Sequence, residues 1–259
     1  IETSGNAAGR IVIRAGQFTM EDAHLQAIST STTPNSAPAG SAGGDVSIQA
    51  NEVSLSQGAT VTTSAVNGIA GNIAFEVGTL RSNVHQDGTP LPGAASVTIA
   101  STSAGLGGPG SITIMGNGTA ASDTVLLSNT QIMTTVPHTA QPTVAPAHIG
   151  IAAEHIGLKN GTSLKTDTTG GADAGSITLN VGALYSEAGP DGRVLLSSSS
   201  NCGTGCVGGQ AGDITIQGIP GITPAETHLY VPIVKPDSPP TVPITYQLAR
   251  NMDLRGTDI

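Results

Sequence analysis

Apolar and polar residues alternate along this chain in short runs, and the same alternation is written more than once. Residues 45–63 read DVSIQANEVSLSQGATVTT, and residues 148–166 read HIGIAAEHIGLKNGTSLKT. The large apolar positions of the two stretches coincide, and so do one glycine and the final threonine. A period of two is typical of β-strands, in which successive side chains point to opposite faces. The pattern therefore predicts strands that repeat along the chain.

The recurring unit is a glycine or small residue, one variable residue, and then two apolar residues separated by one position. Its first apolar residues are Ile11, Val46, Ile73, Ile112, Ile149, Ile177 and Ile214. The first apolar residues of units that lie three units apart are separated by 101 to 104 residues. Connecting segments repeat over the same distance, since VGTLRSNVHQDG in the third unit corresponds to VGALYSEAGPDG in the sixth. The chain thus has a second-order repeat of three units.

Each unit is too small to close a core by itself. In the second unit we predict three strand segments, at residues 46–48, 53–55 and 60–62, with turns at Asn51 and Gly58. Stacked units would bury one apolar row per strand. We therefore predict an all-β fold, a right-handed parallel β-helix of about seven coils over residues 1–218, with three-coil super-repeats. The seven first apolar residues should form one buried column.

The repeat stops after Ile216, and residues 219–259, here called the tail, contain seven prolines. Proline cannot donate to a strand ladder, so central strands are not expected in this segment. Residues 228–234 and 243–248 nevertheless alternate well. We expect a Pro-rich extended tail, outside the solenoid, that packs on the end of a coil, with the end of another copy favoured.

Composition narrows the classes of function. The chain has 35 glycines, only 2% aromatic residues and only 10% charged residues, whereas soluble domains average about 25% charged. Compact enzymes usually line their pockets with aromatic side chains. The net charge of −9, with nine Lys and Arg, argues against nucleic acid and against an anionic membrane surface. No apolar run approaches the ~20 residues of a membrane span.

Residues 40–73, GSAGGDVSIQANEVSLSQGATVTTSAVNGIAGNI, resemble the repeats of filamentous-haemagglutinin-like exoproteins. These are large passengers of two-partner secretion in Gram-negative bacteria, and the resemblance covers roughly residues 1–218. It implies a right-handed β-helix, export to the cell surface, and a role in adhesion or surface assembly. The secretion domain of that family is missing, and residues 1–11 resemble the end of a coil. We therefore expect the chain to be a piece or a processed product of a longer protein.

Few residues suggest local chemistry. Cys202 and Cys206, in the stretch NCGTGC, are predicted to form a disulfide, with free thiols or a metal as the alternatives. His148, Glu154 and His155 could be imagined as a metal site, but we predict solvated surface positions and no cofactor. The other histidines are expected at the surface as well; they are His24, His85, His138 and His228.

An enzyme of this fold would need carboxylates and basic groups clustered on one face. Before the first apolar residue of each unit stand Arg10, Asp45, Asn72, Ser111, His148, Ser176 and Asp213. Only Arg10 and Asp45 are neighbouring opposite charges, and we predict a weak surface ion pair between them. The sequons at Asn117 and Asn160 are predicted to be turns, although glycosylation is the alternative.

The outward residues of the predicted column are small or hydroxylated, which predicts a flat and uncharged face. They are Val12, Ser47, Ala74, Thr113, Gly150, Thr178 and Thr215. A binder of ice or carbohydrate is one interpretation, but a regular T-x-T array is absent, so solvated strand residues explain the row better.

The sequence as a whole predicts a secreted, non-enzymatic rod or filament segment at the surface of a Gram-negative cell. Its partners would be other copies of itself or a neighbouring surface. An adhesin stalk and a self-assembling filament subunit are the two forms of this hypothesis. A carbohydrate-active β-helix enzyme, lyase or hydrolase, is the alternative.

Overall fold

The structure is a computed structural model. It describes residues 1–30, 43–105, 107–118, 121–135, 146–168, 172–200 and 209–219, together with the backbone of four short strands in the tail. The described part of the chain is all-β and contains no helix.

Nineteen strands follow one another in the part of the chain that the structure describes. They are β1 Glu2–Gly5, β2 Ile11–Glu21, β3 His24–Ser29, β4 Val46–Ser56, β5 Thr60–Ala65, β6 Ile73–Ser82, β7 Val97–Ser103, β8 Ile112–Met115, β9 Ser122–Ser128, β10 Thr130–Thr135, β11 Ile149–Lys159, β12 Ser163–Lys165, β13 Ile177–Glu187, β14 Val194–Ser197, β15 Ile214–Gly218, β16 Leu229–Tyr230, β17 Ile244–Tyr246, β18 Asn251–Asp253 and β19 Thr257–Asp258.

The strands form two parallel sheets between which the chain passes back and forth. The smaller sheet has the order β1-β3-β5-β7-β10-β12-β14-β19. The larger sheet has the order β16-β18-β13-β11-β8-β6-β4-β2, with β9, β15 and β17 paired beside this path. Neighbours in a sheet therefore belong to successive sequence units, as parallel pairing by crossover connections requires.

The predicted apolar column is confirmed. The seven residues pair in register from one strand to the next, in the order Ile11, Val46, Ile73, Ile112, Ile149, Ile177 and Ile214. Each is at most 6% exposed. The outward row beside the column is also in register and carries no charge. One apolar core runs from β2 to β15 along these rows.

The turn predicted at Asn51 is wrong. Strand β4 runs unbroken through this position, and both Ala50 and Val53 face the core. Asn51 and Glu52 stand between them and point outward, so two consecutive outward residues change the phase of the pleat without ending the strand. In this unit the three predicted segments are therefore two strands, β4 and β5. Gly58 does lie in a turn, where its φ is +83°.

Glycine two positions before the column allows the backbones to approach closely. A Cβ atom on Gly71 would overlap the carbonyl oxygen of Gly44, and one on Gly110 would overlap that of Gly71. Gly212 is confined in the same way by Gly175. The small residue that opens the sequence unit is thus required by the spacing of neighbouring strands.

Among the described residues, five that are not glycine adopt a positive φ, and each directly follows a strand of the larger sheet. They are Asp22, Gln57, Asn83, Asn129 and Asn160. Asparagine tolerates this left-handed conformation better than most residues. The side-chain amides of Asn83 and Asn129 donate to the backbone oxygens of Ala95 and Ala94, both at 2.9 Å. The predicted turn at Asn160 is confirmed.

The tail adds short strands to both sheets. Strands β17, β18 and β19 pair in parallel with β15, β13 and β14, and β16 pairs with β18. Because β18 lies between β13 and β16, the expectation that prolines exclude central strands from the tail is wrong here. The physical reason is placement, since none of the tail's prolines lies within these strands.

Candidate binding surfaces

The sequence-predicted disulfide lies outside the described residues. Cys202 and Cys206 both fall in the segment 201–208, so their pairing stays a prediction. His138 and His228 lie outside the described residues as well.

His148 and His155 are exposed at the surface, as predicted. The imidazole of His148 lies over Gly150, where a Cβ atom would be 3.0 Å from its Nε2. His155 stands in register with Thr124 and Ala183, which are poor metal ligands. No group of three or more His, Cys, Asp or Glu residues able to hold a metal occurs within the described ranges.

The ion pair predicted between Arg10 and Asp45 is not formed. Asp45 Oδ1 instead accepts a hydrogen bond from the backbone N–H of Asn72, at 2.8 Å. Asn72 Oδ1 accepts from the N–H of Ser111 at 2.8 Å, and Ser111 Oγ accepts from the N–H of His148 at 3.1 Å. In front of β4, β6 and β8, a short side-chain acceptor thus binds the backbone N–H of the next unit, which explains why these three positions are polar.

Sequence reasoning missed an ion pair on the outer face of the larger sheet. Arg81 Nη1 donates to Glu52 Oε1, while Gln17 Nε2 donates to Glu52 Oε2 at 3.4 Å. It is the one salt bridge among the residues described here, and its side chains are 20% and 29% exposed for Arg81 and Glu52. Arg81 pairs in register with Ser54, not with Glu52. A diagonal contact of this kind depends on strand register, which pairwise sequence spacing does not reveal.

A second set of polar contacts runs beside this ion pair. Arg14 Nε donates to Gln49 Oε1, Gln49 Nε2 donates to Asn117 Oδ1, and Asn117 Nδ2 donates to Asn51 Oδ1, each at 3.2 Å. Asn117 belongs to the connection between β8 and β9, where Gly118 has a φ of +73°. The predicted turn at Asn117 is therefore confirmed, and its side chain ties this connection to β4 across β6.

The connection between β6 and β7 folds down on the same outer face. Lys159 Nζ donates to the carbonyl oxygen of Gly88 at 3.2 Å and lies 5.4 Å from the centroid of the Tyr185 ring. Inside the connection, the Thr89 hydroxyl donates to Asp87 at 2.6 Å, and this bond lowers the pKa of Asp87 below its usual value. These contacts hold the connection in place against the outer face.

The two ends of the stack differ in how their apolar rows are covered. In β2, Ile13 and Phe18 are only half-buried, although their register partners Ile48 and Val53 in β4 are fully buried. At the other end Ile216 is fully buried, and β17 lies alongside it in register.

No protein-family model, curated protein or solved structure matches the chain. Because the described residues form no helix, they include none long and apolar enough to cross a membrane.

Proposed function

We propose that residues 1–218 form a right-handed parallel β-helix of about seven coils that serves as a rod or filament segment of a secreted surface protein. The in-register column from Ile11 to Ile214 carries this proposal. Seven strands joined by crossovers, all in one register, are the arrangement that stacked repeat units of one chain require.

The outer surface supports a structural role. The side chains in the outward row beside the column are short and uncharged. The polar side chains near this row form contacts between strands. Glu52, Gln49 and Asn117 each bind partners from other strands. Side chains used in this way stabilise the stack, which is the role that a structural rod requires of its surface.

The resemblance to filamentous-haemagglutinin-like exoproteins supports a setting outside the cell, at the surface of a Gram-negative bacterium. In that setting the segment would serve adhesion or fibre assembly without enzymatic activity, with other copies or a neighbouring surface as partners. The carbohydrate-active alternative needs a carboxylate available to substrate. Glu52, the acidic residue best placed in the outer network, already has both carboxylate oxygens bonded to side chains.

Immunogold electron microscopy of cells that produce the native protein tests the proposal. Antibodies raised against this chain should label surface filaments or a surface coat. Label confined to the cell interior would contradict it.

An activity assay distinguishes the enzyme alternative from the structural role. The purified chain is incubated with a panel of acidic and neutral polysaccharides, and new reducing ends and unsaturated sugars are measured. No release above a heat-denatured control is expected. Release that a Glu52→Gln variant loses while keeping its fold would favour the enzyme.

A further inference from the structure

The tripeptide Asn-Gly-Thr occurs twice in this chain, in two different surroundings. One copy begins at Asn117, in the connection between β8 and β9, and the other begins at Asn160, in the turn after β11. Asparagine before glycine is chemically labile, because a residue without a Cβ lets its backbone nitrogen approach the preceding side-chain amide. Since the two copies share this sequence, a large difference in their reactivity must come from the fold.

The reaction is an intramolecular deamidation. The backbone nitrogen of the glycine attacks Cγ of the asparagine and loses its proton to solvent, while the Cγ–Nδ2 bond breaks and the amide nitrogen leaves as ammonia. Water then opens the resulting succinimide ring at either carbonyl, which yields aspartate or isoaspartate. Water is the only co-reactant consumed, so the rate depends on whether the side chain and the glycine can move into the reactive geometry.

The fold holds Asn160 in place. The residue is only 5% exposed, and its Nδ2 donates to the carboxylate of Asp191 at 2.5 Å. Its Oδ1 accepts from the backbone N–H of Asp191 at 2.9 Å. A Cβ on Gly161 would lie 2.7 Å from the carbonyl oxygen of Asp191, so the glycine is confined as well. Attack on Cγ would require the side chain to leave both partners, one of which is charged.

Asn117 is held much more loosely. The residue is half-buried, and Gly118 after it is exposed. Its Oδ1 accepts from Gln49 and its Nδ2 donates to Asn51, both at 3.2 Å, so its partners are uncharged amides that water can replace. A Cβ on Gly118 would meet no atom within 4 Å, and none of the described residues accepts its N–H. The attacking nitrogen and its target can therefore rearrange without disturbing a strand.

The product is also accommodated differently at the two positions. A carboxylate at position 117 keeps the bond from Gln49 Nε2, and the amide of Asn51 can turn so that its Nδ2 donates instead. A carboxylate at position 160 would face the carboxylate of Asp191 across the present hydrogen bond, where like charges repel. The mobility of the reactant and the surroundings of the product thus favour reaction at Asn117.

We propose that Asn117 is a site of spontaneous deamidation in the folded protein, and that Asp191 protects Asn160 from the same reaction. The modification places a negative charge on the outer face of the larger sheet. Isoaspartate also lengthens the backbone by one carbon atom, but Asn117 lies outside the strands, so the stack should stay intact. This inference concerns the chemistry of one side chain and does not rest on the proposed function.

Peptide mapping of the full chain tests the proposal. The purified protein is incubated at mildly alkaline pH, and mass spectrometry of proteolytic peptides follows the loss of each amide over time. In the folded chain Asn117 should react at least about tenfold faster than Asn160, because only Asn160 must give up a hydrogen bond to a charged group. In guanidinium chloride the unfolded chain should show rates within about threefold of each other, because the tripeptides are identical.

A substitution at Asp191 tests the protection. Asp191→Ala removes the charged acceptor, so deamidation at Asn160 should accelerate about tenfold while the rate at Asn117 stays the same. Asp87→Ala is the matched control, since Asp87 stands at the equivalent place in the preceding super-repeat and bonds to Thr89 instead. It should change neither rate. Circular dichroism with the urea midpoint verifies that both variants are folded.

Several outcomes would overturn the proposal. Equal rates at Asn117 and Asn160 in the folded chain contradict it, and so does a ratio of rates no larger than in the unfolded chain. A folded Asp191→Ala variant that leaves Asn160 as unreactive as before refutes the protection. If this variant fails to fold, the comparison of the folded and unfolded parent still decides. None of these results bears on the cellular location tested by immunogold labelling, so the two proposals fail separately.

Discussion

Strands β2 and β4 have the same place in the repeat and differ mainly in their neighbours. Ile13 of β2 and Ile48 of β4 stand directly opposite in register. Ile48 is fully buried, whereas Ile13 is half-buried. Among the described strands, β4 has a neighbour on each side, and β2 has one. Burial of Ile13 and Ile48 thus follows their place in the stack, because strands on both sides cover an inward side chain more fully than a strand on one side does.

The other end of the column shows the same effect reversed. Ile214 and Ile216 in β15 are buried, and the backbone of β17 pairs with their strand. A covered end keeps the burial of the interior, and an open end loses it. This difference leads to four predictions, ordered from the largest expected effect to the smallest.

The first prediction compares the two isoleucines. Ile48→Ala should lower the free energy of unfolding by about 2–5 kcal/mol, because a fully buried side chain leaves a cavity. Ile13→Ala should cost about 1 kcal/mol, since its side chain is already partly in contact with water. Urea unfolding followed by circular dichroism measures both. Equal losses would show that the β2 end is covered in solution as fully as the interior.

The second prediction compares two glycines at equivalent positions. Gly71→Ala places a Cβ on the carbonyl oxygen of Gly44 and should cost about 1–3 kcal/mol. A Cβ on Gly9 would instead lie 3.6 Å from Thr3, an ordinary contact. Gly9→Ala should therefore change stability by less than about 0.5 kcal/mol. The same urea titration measures both losses. A Gly9→Ala variant that is clearly destabilised would mean that this end is covered in solution.

The third prediction concerns the end of the column at β15, which a deletion would uncover so that it resembles the β2 end. Deleting residues 219–259 removes β17 and leaves Ile214 and Ile216 at an open edge. The remaining strands should stay folded, with a loss of about 1–2 kcal/mol as backbone hydrogen bonds are offset by the ordering cost of the tail. Light scattering should detect increased self-association. A truncated chain that associates no more than the parent would indicate that the tail does not cover this end.

The fourth prediction concerns the turns that follow the two strands. Gln57 has a φ of +54° and precedes Gly58, a turn that favours Asn-Gly. Gln57→Asn should raise the free energy of unfolding by about 0.5 kcal/mol. The equivalent turn after β2 already has Asp22, at a φ of +45°. Asp22→Asn should therefore be nearly neutral, and it serves as the control in the same urea titration.

Much of the fold could be predicted because it depends on local pattern. The alternation by two identified the buried column, and the glycine before it was visible in the repeat unit. Asn160 and Asn117 were predicted as turns from the Asn-Gly pairs alone. The continuous strand through Asn51 was missed, because two outward residues in succession look like a turn when only one unit is considered.

The candidate surfaces were less predictable. Arg10 and Asp45 are neighbours in the repeat, but Asp45 binds a backbone N–H instead. The contact between Glu52 and Arg81 joins residues two positions out of register, and only the long side chain of Arg81 makes it. Side-chain reach across strands has no simple trace in sequence spacing.

By itself the sequence determined which residues face inward and how often the unit returns, because both follow from the two-residue period of a strand. The tertiary structure alone decided which positions are covered. It paired the tail with the last strands of its own chain, where its proline-free segments keep their N–H groups, and it gave β2 one neighbour among the described strands. The alternation along a strand sets which way a side chain points, but the neighbouring strands determine how much of that side chain is buried.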